Sequence, residues 1–169
     1  RFAELPQEYS YLYLAIEGKL AGVICIEDPL REEAADVIRQ LRQAGFSKLV
    51  MMTGDSERTA SAIAARVGVD EYYSEVLPED KAGFVEAQKS AGRKVIMIGD
   101  GINDAPALSA ADVGIAISDG AEIAREIADI TIGGDNLERL VMLKKLSDGL
   151  MKRIHRNYRA IVGINTGLI

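Results

Sequence analysis

The 169 residues carry a formal charge of −6, with 26 acidic side chains against 20 basic ones, and 48% of them are apolar. That apolar share suffices for the core of a single domain and excludes a disordered chain, while the negative balance excludes a nucleic-acid-binding surface, which needs a basic patch. One cysteine and one histidine exclude a disulfide framework and a histidine-based metal cluster within the chain.

Residues 11–16 and 20–26 alternate or run apolar around Glu17-Gly18-Lys19, the pattern of two strands joined by a tight turn. Cys25 falls in the second apolar run and reads as a buried, inert thiol in a reducing compartment. Residues 31–44 place Ala34, Ala35, Val37, Ile38 and Leu41 on one helical stripe that Gly45 ends. Residues 49–52 predict a short buried strand, followed by Thr53-Gly54-Asp55, with Asp55 or Ser56 as the cap of a helix reaching Val67 before Gly68. A strand over 72–76 precedes Leu77-Pro78-Glu79-Asp80-Lys81. That segment opens a helix with proline in its first turn and acids at its positive end, and Gly92 closes it.

Strands over 95–98, 113–117 and 130–132 follow, with helices after the first and over 121–128. Residues 133–136, Gly-Gly-Asp-Asn, cap a long last helix from 137 on which His155 is a surface residue. Strands separated by helical stretches of this length predict βαβ units and a parallel sheet, hence an α/β fold. In such sheets ligands bind beyond the carboxyl ends of the strands, and Thr53, Asp55, Asp100 and Asp104 all follow strand ends.

The opening of the chain does not read as a secretory leader. Residues 1–6 lead into polar positions, and the absence of an initiator Met is what a fragment shows. Residues 160–169 are an almost unbroken apolar run preceded by Lys152, Arg153, Arg156 and Arg159. A membrane helix needs about 20 such residues, so the run is half long enough, and its flanking cations match a helix entering from the cytoplasm. An amphipathic helix packed on the domain is the alternative reading.

The decapeptide Gly99-Asp100-Gly101-Ile102-Asn103-Asp104-Ala105-Pro106-Ala107-Leu108 sets two carboxylates and an amide on a glycine-bearing turn after an apolar strand. A hard cation such as Mg²⁺ takes few protein carboxylates and shares its other positions with water and phosphate oxygens, a demand that Asp100 and Asp104 meet. Gly101 permits a sharp turn, Pro106 suits the start of a helix, and Asn103 is placed to reach a phosphate oxygen. Turn formation alone also accounts for the Asp-Gly and Asn-Asp pairs taken separately.

GDGINDAPAL is similar to the hinge motif of the P-type cation-transporting ATPases, whose phosphorylation domain belongs to the haloacid dehalogenase superfamily. Ile98 and Ile102 resemble the transition-metal branch. The resemblance implies a parallel Rossmann-like sheet flanked by helices, with an N-terminal hairpin and a long C-terminal helix. It implies that Thr53, in Thr53-Gly54-Asp55, binds a phosphate oxygen, that Lys81 neutralises the phosphorylated aspartate and its phosphoryl group, and that Asn103 holds phosphoryl oxygens. Asp100 and Asp104 would be Mg²⁺ ligands. Asp28-Pro29-Leu30-Arg31 resembles the D-P-x-R motif that follows the nucleotide domain in these pumps.

The aspartate nucleophile of such pumps lies in D-K-T-G-T, which occurs nowhere in this sequence. Asp28 follows an apolar strand as a nucleophile would, yet Leu30 stands where phosphatases of the superfamily need a second Asp, and Pro29 follows directly. The resemblance therefore implies that residues 1–147 are the C-terminal part of a phosphorylation domain, lacking the nucleophile segment, and that 148–169 are a helix entering a truncated transmembrane span. The expected partners are the N-terminal part of the same pump, with its nucleophile, nucleotide-binding domain and membrane helices, and the transported cation. ATP would be used through the absent nucleotide domain, and this segment would lie on the cytoplasmic side of a membrane. Two rival readings are a free-standing phosphatase of the same superfamily and a non-catalytic Mg²⁺-binding module.

Overall fold

A computed structural model describes residues 10–26, 30–99, 103–117, 126–134 and 136–167. The chain opens on an antiparallel hairpin of β1 (Ser10–Ile16) and β2 (Lys19–Ile26), with Ser10 opposite Ile26 and Ile16 opposite Lys19. Both turn residues take positive φ, 49° at Glu17 and 75° at Gly18, as a two-residue hairpin turn demands. Leu12, Leu14, Ile16, Leu20, Ile24 and Ile26 are all exposed. The Arg58 guanidinium reaches the hairpin, 5.2 Å from the centroid of the Tyr11 ring. Cys25 is exposed, contrary to the buried thiol that its apolar neighbours predict. An apolar strand is buried only where something covers it, and no described element covers β2.

From α1 (Ala34–Gln43) onward, strands and helices alternate. They run β3 (Val50–Met52), α2 (Glu57–Val67), β4 (Glu71–Tyr73), α3 (Pro78–Ser90), β5 (Ile96–Gly99), α4 (Ala105–Ala110), β6 (Val113–Ile117), β7 (Ile130–Ile132) and α5 (Glu138–Gly167). β3 and β4 pair in parallel, and β5, β6 and β7 form a second parallel sheet in that order. The parallel α/β class is as expected, but among the described residues the parallel strands form two sheets instead of one. The expected helix over 121–128 lies largely outside the described residues.

Local chemistry sets most boundaries. The Ser56 hydroxyl caps α2 by accepting from the Thr59 N–H, and Gly68 stops the helix in the left-handed conformation at φ 76°. Pro78 opens α3, where its missing N–H costs nothing, with Glu79 and Asp80 beside the positive helix end. β4 stops at Tyr73, short of the expected Val76, because Glu75 turns to φ 53° and its N–H donates to the Asp55 carbonyl at 2.9 Å.

An aspartate stands at the amino end of each parallel pair. The N–H of Leu49 donates to Asp70 at 2.7 Å, that of Val95 to Asp112 at 2.9 Å, and that of Gly114 to Asp129 at 2.8 Å. Each carboxylate closes the backbone just where its own strand joins the one before it. The Leu49 amide, and secondarily Arg42, hold Asp70 below the ordinary aspartate value of 3.8. Asp112 is lowered by the Val95 amide and by Lys94.

The three-stranded sheet is covered on both faces. Ile115 of β6 packs with Val37 and Leu41 of α1 and with Leu140 and Val141 at the start of α5. On the other face Met97 of β5 packs with Val85 of α3 and with Ala107 and Leu108 of α4. Met52 joins the second cluster, which brings the end of β3 to the same helix layer as β5. Arg31 donates to the Gly134 carbonyl and ties the start of the α1 segment to the turn before α5.

Only Leu140 and Val141 are buried in the 30-residue α5, and every residue from 149 to 167 is exposed, including Leu150, Ile154, Tyr158, Ile161 and Ile164. The helix stands clear of the domain instead of packing along it. His155 is exposed on it, as expected. No helix among the described residues is long and apolar enough to cross a membrane.

Candidate functional site

The centre of the site is Asp104, the N-cap residue of α4, whose carbonyl accepts from the Leu108 N–H at 2.8 Å. Two glycines let it sit where it does. A Cβ on Gly114 would stand 2.6 Å from the Leu108 carbonyl oxygen, so only glycine lets α4 lie this close to β6. A Cβ on Gly99 would fall 2.4 Å from Asp104 Oδ2 and 2.6 Å from its Cβ. The last residue of β5 is thus a notch that the Asp104 carboxylate fills.

Asp104 Oδ1 accepts a hydrogen bond from Lys81 Nζ at 2.7 Å. Lys81 rises from the first turn of α3, its own N–H donating to the Leu77 carbonyl. The two side chains are 14% and 12% exposed, the most enclosed ion pair described in the protein. An ion pair so far from water is held by mutual need, because either charge alone would bear most of its desolvation cost. Residues 23 apart in sequence are thus joined, a cation and a carboxylate at the carboxyl end of a parallel strand, a contact that the sequence pattern does not announce.

Thr53 and Asp55 form a second, separate group after β3. The Thr53 N–H donates to the Tyr73 carbonyl and its own carbonyl accepts from the Val76 N–H, both at 3.0 Å, which pins the turn against β4. The Thr53 hydroxyl donates to Asp55 Oδ2 at 2.6 Å, and the Asp55 N–H returns a bond to Thr53 Oγ1 at 3.1 Å. Ser56, not Asp55, is the cap of α2, and Thr53 lies before the helix instead of at its N-terminus, so its hydroxyl serves the turn. Gly54 is exposed, and the nearest atom to a Cβ there would be the Val76 carbonyl oxygen at 3.9 Å, an ordinary contact. Among the described residues no hydrogen bond links this group to Lys81 and Asp104.

Asn103 is exposed beside Asp104. Asp100, the other expected Mg²⁺ ligand, and Asp28 lie outside the described residues, and among the described residues no three acidic, histidine or cysteine side chains gather at one point. Asp104 offers carboxylate oxygens, the donor type that a hard cation takes. The sequence carries no signal for the roles of Gly99 and Gly114 beyond small size within an apolar strand. A further acid, Glu57, accepts from Tyr72 at 2.7 Å and Ser74 at 2.6 Å, and these two donors hold it below the ordinary glutamate range.

Comparison with known proteins gives the chain its relatives. The manganese-exporting P-type ATPase of Mycobacterium leprae is 42% identical over 155 residues, covering 91% of this chain and 21% of that protein. Copper-transporting ATPase 2 of Rhizobium meliloti is 44% identical over 160 residues, covering 95% and 19%. The crystal structure of a zinc-transporting PIB-type ATPase in its E2.Pi state superposes with a TM-score of 0.75 at 35% identity, over 89% of this chain and 24% of that one. The chain spans about a fifth of the length of the curated relatives it matches. Residues 3–112 match the haloacid dehalogenase-like hydrolases, and the chain belongs to that family.

Proposed function

We propose that this chain is the part of a transition-metal P-type pump that supplies the Mg²⁺- and phosphoryl-binding groups for making and hydrolysing a phosphoaspartate. The enclosed Lys81–Asp104 pair at the carboxyl end of β5 carries the reading, because it sets a carboxylate for a hard cation beside an ammonium for phosphate oxygens. Asp104, with Asp100, would hold Mg²⁺, which offsets charge on a transferring phosphoryl group. Lys81 would bind the phosphoryl oxygens as a compact positive charge on a flexible stem. Thr53 would turn its hydroxyl from Asp55 to a phosphoryl oxygen, Gly54 would let that oxygen approach the turn, and Asn103 would donate its amide from solvent. ATP would reach the site through a nucleotide-binding domain elsewhere in the pump.

The open strand edges favour a partner from the same pump. Among the described residues β5 is an edge of its sheet, with Ile96 and Ile98 40% and 37% exposed, and β3 is paired on one side only. Such edges present unmatched backbone groups that another strand can take up, and a nucleophile-bearing segment belongs at this end of the sheet. The exposed apolar and cationic residues of α5 fit a helix that leads into a membrane from the cytoplasmic side. The matched pumps carry manganese, copper and zinc by name, so this region does not discriminate among ions.

The test is incubation of the chain with Mg²⁺ and radiolabelled ATP, followed by acid quenching. No acyl phosphate should form, while a full-length pump carrying this region should form one that Asp104→Asn reduces by at least about 100-fold. An acyl phosphate on the isolated chain would overturn the missing-nucleophile reading. So would p-nitrophenyl phosphate turnover that is lost on Asp28→Asn, which would favour a free-standing phosphatase.

A further inference from the structure

We infer that Lys81 gates the cation position at Asp104: ammonium and divalent ion compete for the same carboxylate, and the lysine is freed for phosphoryl oxygens only when the ion displaces it. The inference rests on Asp104 being a Mg²⁺ ligand, and it concerns what the lysine does before any phosphoryl group arrives.

Both Asp104 oxygens are accounted for. Oδ2 is seated against Gly99, 2.4 Å from where a Cβ would stand, and Oδ1 accepts from Lys81 Nζ at 2.7 Å. A cation approaching Asp104 therefore meets an ammonium already on Oδ1, the oxygen not seated against Gly99. Mg²⁺ requires its oxygens at about 2.0–2.1 Å, and two positive charges on one carboxylate repel. With side chains 14% and 12% exposed, the pair is poorly reached by screening counterions, so that repulsion is little damped by salt.

The lysine is built to move. Its four-carbon stem starts at the first turn of α3, and Asp104 is its described side-chain partner. Asp104 is not so free, being fixed by the α4 backbone and by the Gly99 notch. Of the two partners, Lys81 is the one that gives way. Before displacement the pair neutralises a carboxylate that would otherwise be enclosed with an unbalanced charge. After displacement the ammonium stands one stem's reach from Asp104, with no other carboxylate partner among the described residues. Cation arrival and lysine availability become a single event.

The experiment titrates the 169-residue chain with Mn²⁺, reading the free ion by its electron paramagnetic resonance signal, with Mg²⁺ as competitor. Lys81→Met keeps the stem and removes the charge, and it should bind Mn²⁺ at least about five-fold more tightly than the native chain, the lower end of ordinary site–site coupling. Lys81→Arg keeps the charge and should bind no more tightly than native. A second measurement uses the native chain, so it stands even if a variant does not fold. The rate of Lys81 acetylation, mapped by mass spectrometry, should rise severalfold in saturating Mg²⁺, whereas Lys94, 89% exposed, should react at an unchanged rate. Equal or weaker Mn²⁺ binding by Lys81→Met, or acetylation of Lys81 indifferent to Mg²⁺, overturns the gate. Undiminished binding by Asp104→Asn, or no binding by either the native chain or Lys81→Met, overturns the metal-site reading itself and the gate with it.

Discussion

Replacing Gly114 by alanine tests the packing that sets Asp104 in place. The added methyl would stand 2.6 Å from the Leu108 carbonyl oxygen, 3.1 Å from its carbon and 3.3 Å from its Cα. These are backbone atoms of a helix and cannot rotate aside. Reaching ordinary contact needs roughly 0.8 Å of separation between α4 and β6, in a cluster where Ala107 is fully buried and Leu108 1% exposed. Overpacking of this kind costs about 1–3 kcal/mol. For a chain of this length that lowers the melting temperature by about 2–12 °C. Circular dichroism melts and urea titrations would measure it, the midpoint falling with an unchanged m-value. Gly149→Ala is the control, because nothing lies within 4 Å of a Cβ there; it should raise helicity at 222 nm, alanine being favoured over glycine in a helix by about 1 kcal/mol. A Gly114→Ala chain that melts within about 1 °C of native, against the 2 °C minimum expected of such overpacking, would refute the close-approach reasoning.

Two further outcomes follow from charges and exposure. Asp70 and Asp112 have folded pKa values below the ordinary 3.8, chiefly through the Leu49 and Val95 amides, so their contribution to stability is present above that value and is lost as pH falls through the folded values. The melting temperature should drop steeply below pH 4, and the double change Asp70→Asn with Asp112→Asn should flatten that slope; an unchanged slope would remove these aspartates from the account. Cys25, exposed on β2, should react completely with Ellman's reagent in native buffer, and a thiol that reacts only in urea would mean that the hairpin is covered in solution.

The sequence was most readable where an element is bounded by its own chemistry. β6 and β7 fall on the expected residues because short runs rich in β-branched and small apolar side chains lie between polar turns, and α2 ends at Val67 because Gly68 supplies the left-handed cap. It was least readable where the outcome depends on what lies opposite. The run around Cys25 has the composition of a buried strand, yet nothing described covers it. β4 ends early through a bond from Glu75 to Asp55, which no periodicity announces. Thr53 was placed correctly after β3, but its hydroxyl bond to Asp55 is a matter of a few tenths of an ångström. The Lys81–Asp104 contact crosses α3, β5 and the start of α4. Motif likeness brought those two residues to notice, and only the fold supplies the distance between them.

The α5 helix is gripped at one end only. Its hold on the domain is Leu140 and Val141 in the core, with Lys144 5.9 Å from the centroid of the Phe46 ring. Beyond that grip the remaining 23 residues, at 1.5 Å of rise each, make a rod of about 35 Å. A rod held this way amplifies angles: a tilt of about 5° at the grip displaces the far end by about 3 Å, given that length. The pivot is built from the same core as β6, which α4 abuts at Gly114 through Leu108. A tilt of a few degrees at that core is therefore enough, by leverage alone, to become a displacement as wide as an ion at the distant tip.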